Sequence, residues 1–229
     1  MKMLLFSPIV LSLSLYIALV YGYLYLLFTT LTPVFEQKYH FSPSSVGLTY
    51  LGIGVGALLG VTVFGVMSDK LLTYLVRRDI ANGGNGEMKP EYRLPPLIPG
   101  SLTIPAGLFI YGWTAQFPDR VHWIAPIIGT SLVGFGMLAT FMPIQMYLVD
   151  AFGVYAASAV AANTILRSAV GAVLPLAGGD MYKALGLGWG NTLLGCIALC
   201  GPVISWALWR FGEGMRRREV NGGRLEVRV

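Results

Sequence analysis

The stretch MLLFSPIVLSLSLYIALVYGYLYLLFTTLTPVF, residues 3–35, contains no charged side chain. A membrane-spanning helix needs roughly 20 predominantly apolar residues to cross the hydrocarbon core of a bilayer. This stretch is long enough for one crossing, and it is much longer than the apolar core of a secretory signal peptide. It therefore predicts a first transmembrane helix near residues 8–31.

The rest of the chain repeats this pattern. Of its 229 residues, 55% are hydrophobic and only 12% are charged, whereas roughly one quarter of a soluble domain is charged. The sequence predicts an all-α membrane protein, a six-transmembrane-helix bundle over residues 1–215. Five further apolar runs predict the other spans, near residues 44–66, 97–116, 123–148, 156–178 and 189–209.

Lysine and arginine lie mainly on one side of this predicted bundle. Twelve of the 16 precede the first span, lie in the predicted loop 67–94 or follow the last span. Cytoplasmic loops carry an excess of these residues, so we expect both termini and this loop to face the cytosol. Residues 216–229 are predicted to form a disordered cytosolic tail. Charges grouped at the ends of apolar runs do not form a nucleic-acid-binding patch, so no nucleic-acid partner is expected.

Small residues at helical spacing predict where helices approach each other closely. In span two every fourth residue is a glycine, which places them on one face that another helix can contact; static packing and sliding of one helix along another explain this equally well. In span five a proline lies between glycines, as in a helix that hinges or seals against a neighbour. These positions are Gly52, Gly56 and Gly60 in span two, and Gly171, Pro175, Gly178 and Gly179 in span five.

Polar side chains within spans four and five mark a candidate substrate pathway. Asn163 and Arg167 share one face of span five, and an arginine inside a membrane is costly unless it faces protein or water. Gln145 and Tyr147 in span four could contact a substrate. The alternative is structural: Arg167 pairs within the bundle, and Gln145 hydrogen-bonds another helix because a buried amide needs a partner.

The sequence offers little support for an enzyme. It contains no hydrolase triad, phosphate-binding glycine loop or cluster of metal ligands. Cys196 and Cys200, one helical turn apart in an apolar run, are interpreted as small packing residues, because a zinc site uses three or four protein ligands. We expect no catalytic activity, metal or organic cofactor.

Several strings resemble a known family of membrane proteins. Gly65, Asp69 and Lys70 directly after span two resemble the Gly-x-x-x-Asp-Arg/Lys signature of the major facilitator superfamily. The strings KPEYRLPP (89–96), PIQMYLVDAFGVYAASAVAAN (143–163) and LGLGWGNTLLG (185–195) are similar to fungal drug:proton antiporters with twelve spans. The likeness covers the carboxy-terminal six-helix half of that fold.

This resemblance implies proton-coupled efflux of drugs, toxins, polyamines or related small metabolites, with the proton gradient as the energy source. It also implies that Gly65 lets two helices meet at a tight cytosolic turn, and that Asp69 pairs at a neighbouring helix end and holds the inward gate shut, with Lys70 at the interface. The substrate cavity would lie between this bundle and a second six-helix bundle. The expected partners are therefore the lipid bilayer, a small-molecule substrate and a second bundle.

The length of the chain favours a different function. A chain with only one bundle could be a transport-incompetent truncated protein or a partner subunit that packs against another bundle. For its location we expect the plasma membrane in preference to the vacuolar membrane.

Overall fold

The computed structural model describes residues 7–83, 86 and 88–221, with the side chains of residue 213 and residues 215–221 excepted. Six α-helices account for most of these residues. They are α1 (Pro8–Gln37), α2 (Pro43–Ala81), α3 (Leu97–Gln116), α4 (Ile124–Phe152), α5 (Ala156–Ala198) and α6 (Cys200–Asn221), with 3-10 turns at Pro90–Arg93 and Gly153–Tyr155. The described residues form an all-α bundle, as the sequence predicts.

The first two helices begin at side-chain caps that the sequence encodes. The Ser7 hydroxyl accepts a hydrogen bond from the Val10 amide (3.3 Å), and the Ser42 hydroxyl accepts one from the Ser45 amide (3.4 Å). In each case a proline follows the cap, where its missing N–H leaves no helical hydrogen bond unmade.

Gly186 divides α5 into two parts. Its backbone angles (φ 74°, ψ 173°) are not helical, and glycine tolerates them because it has no Cβ. The Oε1 atom of Gln116, at the end of α3, accepts hydrogen bonds from the amides of Leu187 (2.9 Å) and Gly188 (3.2 Å). Gln116 thereby caps the second part, which continues almost unbroken into α6, so the helical segments on the two sides of Gly186 are residues 156–185 and 187–221.

Four continuous helical stretches in the described residues are long and apolar enough to cross a membrane. They are Pro8–Gln37, Pro43–Ala81, Pro90–Gln116 and Ile124–Gly212. The last is 89 residues long and contains α4, α5 and most of α6, which follow one another without a long loop.

Helix α4 lies between α2 and α3, while α5 packs mainly against α1 and α3. The apolar core therefore lies among α1, α3, α4 and α5. Helix α2 lies at the edge: 28% of its apolar stretch is buried, compared with 61% for α1. Its outward face is apolar, which suits lipid or another apolar protein surface.

Two helices extend beyond the spans predicted for them. Helix α2 does not end near residue 66 but continues to Ala81, so the predicted loop 67–94 is shorter. Charged residues mark where a helix leaves the hydrocarbon, but they do not stop it from continuing into water. For the same reason α6 continues to Asn221, so the predicted disordered tail is helical from residue 216 to residue 221; residues 222–229 lie outside the described part.

Candidate functional site

Arg167 lies at the centre of a polar and aromatic cluster between α1, α4 and α5. Its Nη1 atom donates a hydrogen bond to the Tyr21 hydroxyl (2.9 Å). The guanidinium carbon lies 4.5 Å from the centroid of the Tyr21 ring and 5.2 Å from that of Phe141. A cation over an aromatic face is stabilised by the ring quadrupole, more strongly when it is desolvated. These two rings thus hold the guanidinium half-buried inside the bundle.

One turn before Arg167, an amide pair connects α5 to α4. The Nδ2 atom of Asn163 donates to Oε1 of Gln145 (3.3 Å). Asn163 is completely buried, and its Oδ1 atom has no hydrogen-bond partner. An unpaired buried acceptor is destabilising, so a donor that reached this oxygen would stabilise the site.

Asp150, at the cytosol-facing end predicted for span four, does not neutralise Arg167. It forms an ion pair with Nε of Arg93, the last residue of the 3-10 turn before α3. The Nη1 atom of Arg93 also approaches the Met146 sulfur (3.4 Å). This pair joins the α2–α3 connection to the end of α4.

Tyr147 lies apart from the cluster. Its side chain is completely buried, and its hydroxyl faces α6, 3.9 Å from the position of a Cβ at Gly212. Residues 145 and 147 point to different sides of α4, so Gln145 joins the cluster and Tyr147 packs in the core.

The three glycines of span two lie against α4. A Cβ added at Gly52 would be 2.6 Å from the Ile127 side chain, and one at Gly60 would be 2.5 Å from the carbonyl oxygen of Phe135. At Gly56 it would be only 1.9 Å from the carbonyl oxygen of Ser131. Only glycine permits this approach of the two backbones.

The small residues of span five face α1 and a pocket on the predicted outer side, called the outer pocket below. A Cβ at Gly171 would be 3.0 Å from the Tyr25 ring, and one at Gly178 would be 2.0 Å from Leu26. Pro175 and Gly179 instead line a pocket of about 460 Å³ between the end of α1 and the middle of α5.

Two lysines also line this pocket, one from each helix. Nζ of Lys38 donates to the carbonyl oxygen of Ala115 (3.0 Å), and burial lowers the pKa of Lys38 from its ordinary value. Lys183 pairs with Asp180 (3.0 Å) in an exposed position, where such a pair contributes little.

The signature residues Gly65, Asp69 and Lys70 lie on the continuous helix α2. No tight turn occurs at Gly65, and nothing lies within 4 Å of a Cβ built there. Asp69 and Lys70 are exposed, and neither forms an ion pair with a described side chain. The expected turn is wrong because the helix extends to Ala81, and the gating role stays a prediction.

The described residues contain no group of three His, Cys, Asp or Glu side chains that could hold a metal ion. Cys196 and Cys200 are free and exposed.

Sequence reasoning alone did not identify several residues of these sites. Tyr21 and Phe141 lie far from Arg167 in sequence, so helical spacing could not connect them. Gln116 could have been noticed as a polar residue at the end of an apolar run, and Lys38 as a lone cation at another. Of the cluster residues, only Asn163 and Arg167 are connected by their spacing in the sequence, because residues four apart share one face of a helix.

This fold and cluster define a helical integral membrane protein with a polar, aromatic site between its helices. The chain matches the description Major Facilitator Superfamily over residues 1–175. It belongs to that family.

The curated relatives are fungal transporters. The chain is 58% identical over 215 residues to the MFS-type transporter penM of Penicillium rubens, which covers 94% of this chain and 41% of the relative. It is 61% identical over 215 residues to the MFS transporter cpaT of Aspergillus oryzae (94% and 42%). It is 55% identical over 216 residues to the MFS-type transporter atr4 of Stereocaulon alpinum (94% and 38%). The chain spans about 40% of the length of these relatives, and no solved structure matches it.

Proposed function

We propose that this chain forms part of a secondary transporter that exports drugs, toxins, polyamines or related small metabolites, driven by the proton gradient. The observation that carries the proposal is the cluster of Arg167, Tyr21, Phe141, Asn163 and Gln145. A charged residue within a membrane span is expensive and usually marks a pathway for a substrate or ion. The names of the relatives support transport as the general function.

A second six-helix bundle completes the site in this proposal. The outward face of α2 supports it, because Gly47, Gly54 and Gly65 have nothing within 4 Å of an added Cβ and apolar side chains between them are exposed. Asp69 and Lys70 lie at the end of this face, where they could pair with the second bundle and hold the cytosolic side closed. Asp69→Asn should then increase labelling of cysteines introduced beside it; unchanged labelling would contradict the gate.

The proposed orientation places both termini in the cytosol, in the plasma membrane in preference to the vacuolar membrane. The twelve Lys and Arg residues on one side support the orientation. Reporter proteins fused to the two ends should both report the cytosol. Reporters on opposite faces would contradict an even number of crossings.

Flux into liposomes tests transport directly. The full chain is reconstituted alone, and also with the complementary part of the penM relative, and an imposed pH gradient drives uptake of anionic, neutral and cationic fluorescent probes. We expect gradient-dependent uptake that Arg167→Gln reduces without changing insertion, whereas Arg120→Gln, at an exposed cation outside the cluster, serves as the matched control and should leave uptake unchanged. Absence of flux in both preparations would refute the transport proposal for this polypeptide.

The second candidate function is a membrane protein that packs against another bundle without transporting anything itself. The exposed apolar face of α2 favours it, because such a face suits a permanent partner. In that case the chain would co-purify with the complementary bundle, but liposomes with both would show no more flux than liposomes with the complementary bundle alone.

A further inference from the structure

The charge of Arg167 has no acidic counterpart among the described side chains. A guanidinium has five N–H donors. Among the described residues, that of Arg167 donates a single hydrogen bond, to the Tyr21 hydroxyl. Its other contacts are the faces of two uncharged rings, and the ion pairs of the described residues lie elsewhere. The site therefore holds a net positive charge with unused donors.

A buried acceptor lies on the same face of α5. Oδ1 of Asn163 is inaccessible to solvent and has no partner, while the Nδ2 atom of the same amide is fixed by Gln145. A ligand that places an anionic oxygen on Arg167 could give this acceptor a hydrogen bond from a neighbouring hydroxyl or N–H group.

An aromatic surface continues from this charge along α1. Tyr25 and Phe28 follow Tyr21 at spacings of four and seven residues, and they are 46% and 39% exposed. Their rings meet edge to face at 6.2 Å, and Phe28 contacts Tyr50 of α2 at 5.8 Å. Exposed rings so close to a cation form a surface on which a flat conjugated molecule could stack.

The outer pocket adds a second positive position between the same two helices. Lys38 and Lys183 line its volume of about 460 Å³, together with the hydroxyl-bearing residues Thr29, Thr30 and Tyr182. Asp180 pairs with Lys183 there, so Lys38, which donates to a backbone carbonyl, supplies the positive charge of the pocket. An anion that moves along the α1–α5 groove thus meets one cation at Arg167 and another at Lys38.

We propose that the ligand of this groove is an aromatic organic anion, a carboxylate or enolate attached to a conjugated ring. The anionic oxygens bind Arg167, the ring lies along Tyr25 and Phe28, and the outer pocket is a second position on the same route. This assignment rests on the proposed transport function, and it specifies the substrate class.

Binding in the absence of any gradient tests the assignment. Isothermal titration calorimetry of the full chain in lipid nanodiscs, with empty nanodiscs subtracted, compares 2-naphthoate with the neutral 2-naphthamide and the cationic 2-naphthylmethylammonium. We expect naphthoate to bind at least about tenfold more tightly than the amide, since charge-assisted hydrogen bonds are the stronger ones. Arg167→Gln should abolish this preference, and Arg167→Lys should keep part of it.

Two further variants separate the site from general electrostatics. Lys183→Gln should weaken naphthoate binding about threefold at low salt and have little effect at high salt, where exposed charges are screened. Arg120→Gln, an exposed outer-loop cation, should change nothing. Melting temperatures close to that of the wild type show that each variant is folded.

Equal binding of naphthoate and naphthamide would overturn the assignment, as would a preference that survives Arg167→Gln or the failure of all three compounds to bind. The outcome is distinguishable from that of the transport proposal. Anion-selective binding without flux refutes transport but not this site, whereas flux of cationic probes without anion preference refutes this site but not transport.

Discussion

Gly56 in α2 offers the sharpest test of the packing between α2 and α4. In Gly56→Ala the new Cβ would lie 1.9 Å from the carbonyl oxygen of Ser131, 2.7 Å from its carbonyl carbon and 2.9 Å from its Cα. All three are backbone atoms, so no side-chain rotation can relieve the overlap. Real Cβ contacts essentially never fall under 3.0 Å, so the two helices must move apart by about 1 Å.

This separation weakens the whole contact between α2 and α4, called the seam below, because glycines of both helices lie against the backbone of the other helix. A Cβ at Gly134 of α4 would lie 2.4 Å from the carbonyl oxygen of Ile53, and the seam extends to Gly60. A gap of 0.5–1 Å forfeits about a quarter to a half of the dispersion attraction across it, and overpacking costs about 1–3 kcal/mol. We expect Gly56→Ala to lower the free energy of unfolding by about 2 kcal/mol.

The matched control is Gly54→Ala, two residues away on the same helix. Nothing lies within 4 Å of a Cβ at Gly54, so the added methyl should only improve helix propensity, by up to about 1 kcal/mol. The two variants should then differ by about 3 kcal/mol, or about 6–12 °C in melting temperature at 2–4 °C per kcal/mol. Thermal unfolding of purified protein in detergent measures this. Equal melting temperatures, or a more stable Gly56→Ala, would refute the close approach of the two backbones.

Four other predictions concern helix ends and the break within α5. A double-mutant cycle of Arg93→Gln and Asp150→Asn should give a coupling of about 1–2 kcal/mol in thermal or denaturant unfolding, because both side chains are mostly buried; a coupling near zero would show that the pair is not formed. Gln116→Ala removes the cap and should lower the free energy of unfolding by about 1 kcal/mol. Gly186→Ala should lower it by about 1–3 kcal/mol, because the backbone conformation at this position suits only glycine. A melting temperature equal to that of the wild type would contradict the prediction for that variant. Burial lowers the pKa of Lys38 below 10.5 in the folded state, so the unfolded chain binds more protons between the two pKa values and stability rises with pH there. The melting temperature of the wild type relative to Lys38→Gln should therefore increase as the pH approaches 10.5, and a constant difference would contradict the burial of this amine.

The composition of the chain predicts its fold class, because lipid requires long uncharged segments that no soluble fold requires. The sequence could not predict where α2 ends. Lys70, Arg77 and Arg78 end its apolar part, but charged residues are good or adequate helix formers in water, and the helix continues to Ala81. The helix ends only where the Asn-Gly-Gly sequence begins, at residue 82.

Three of the five cluster residues, Gln145, Asn163 and Arg167, are candidates that the sequence offers. Asn163 and Arg167 share a helix, so their spacing alone places them on one face. Their partners come from other helices, and Tyr21 is one of several tyrosines in span one. Tyr23, two residues later, is almost completely buried and Tyr25 is largely exposed; only the packing of α1 against α5 decides which of them reaches the arginine.

The connection at Gly186 limits how the protein can be approached from that end of the bundle. Because a single non-helical residue separates the two parts of α5, there is no loop for a protease to cut, and no epitope could be inserted there without separating the two helical segments. The longer link between α3 and α4, residues 117–123, is the better place for tags or antibodies that report on this surface.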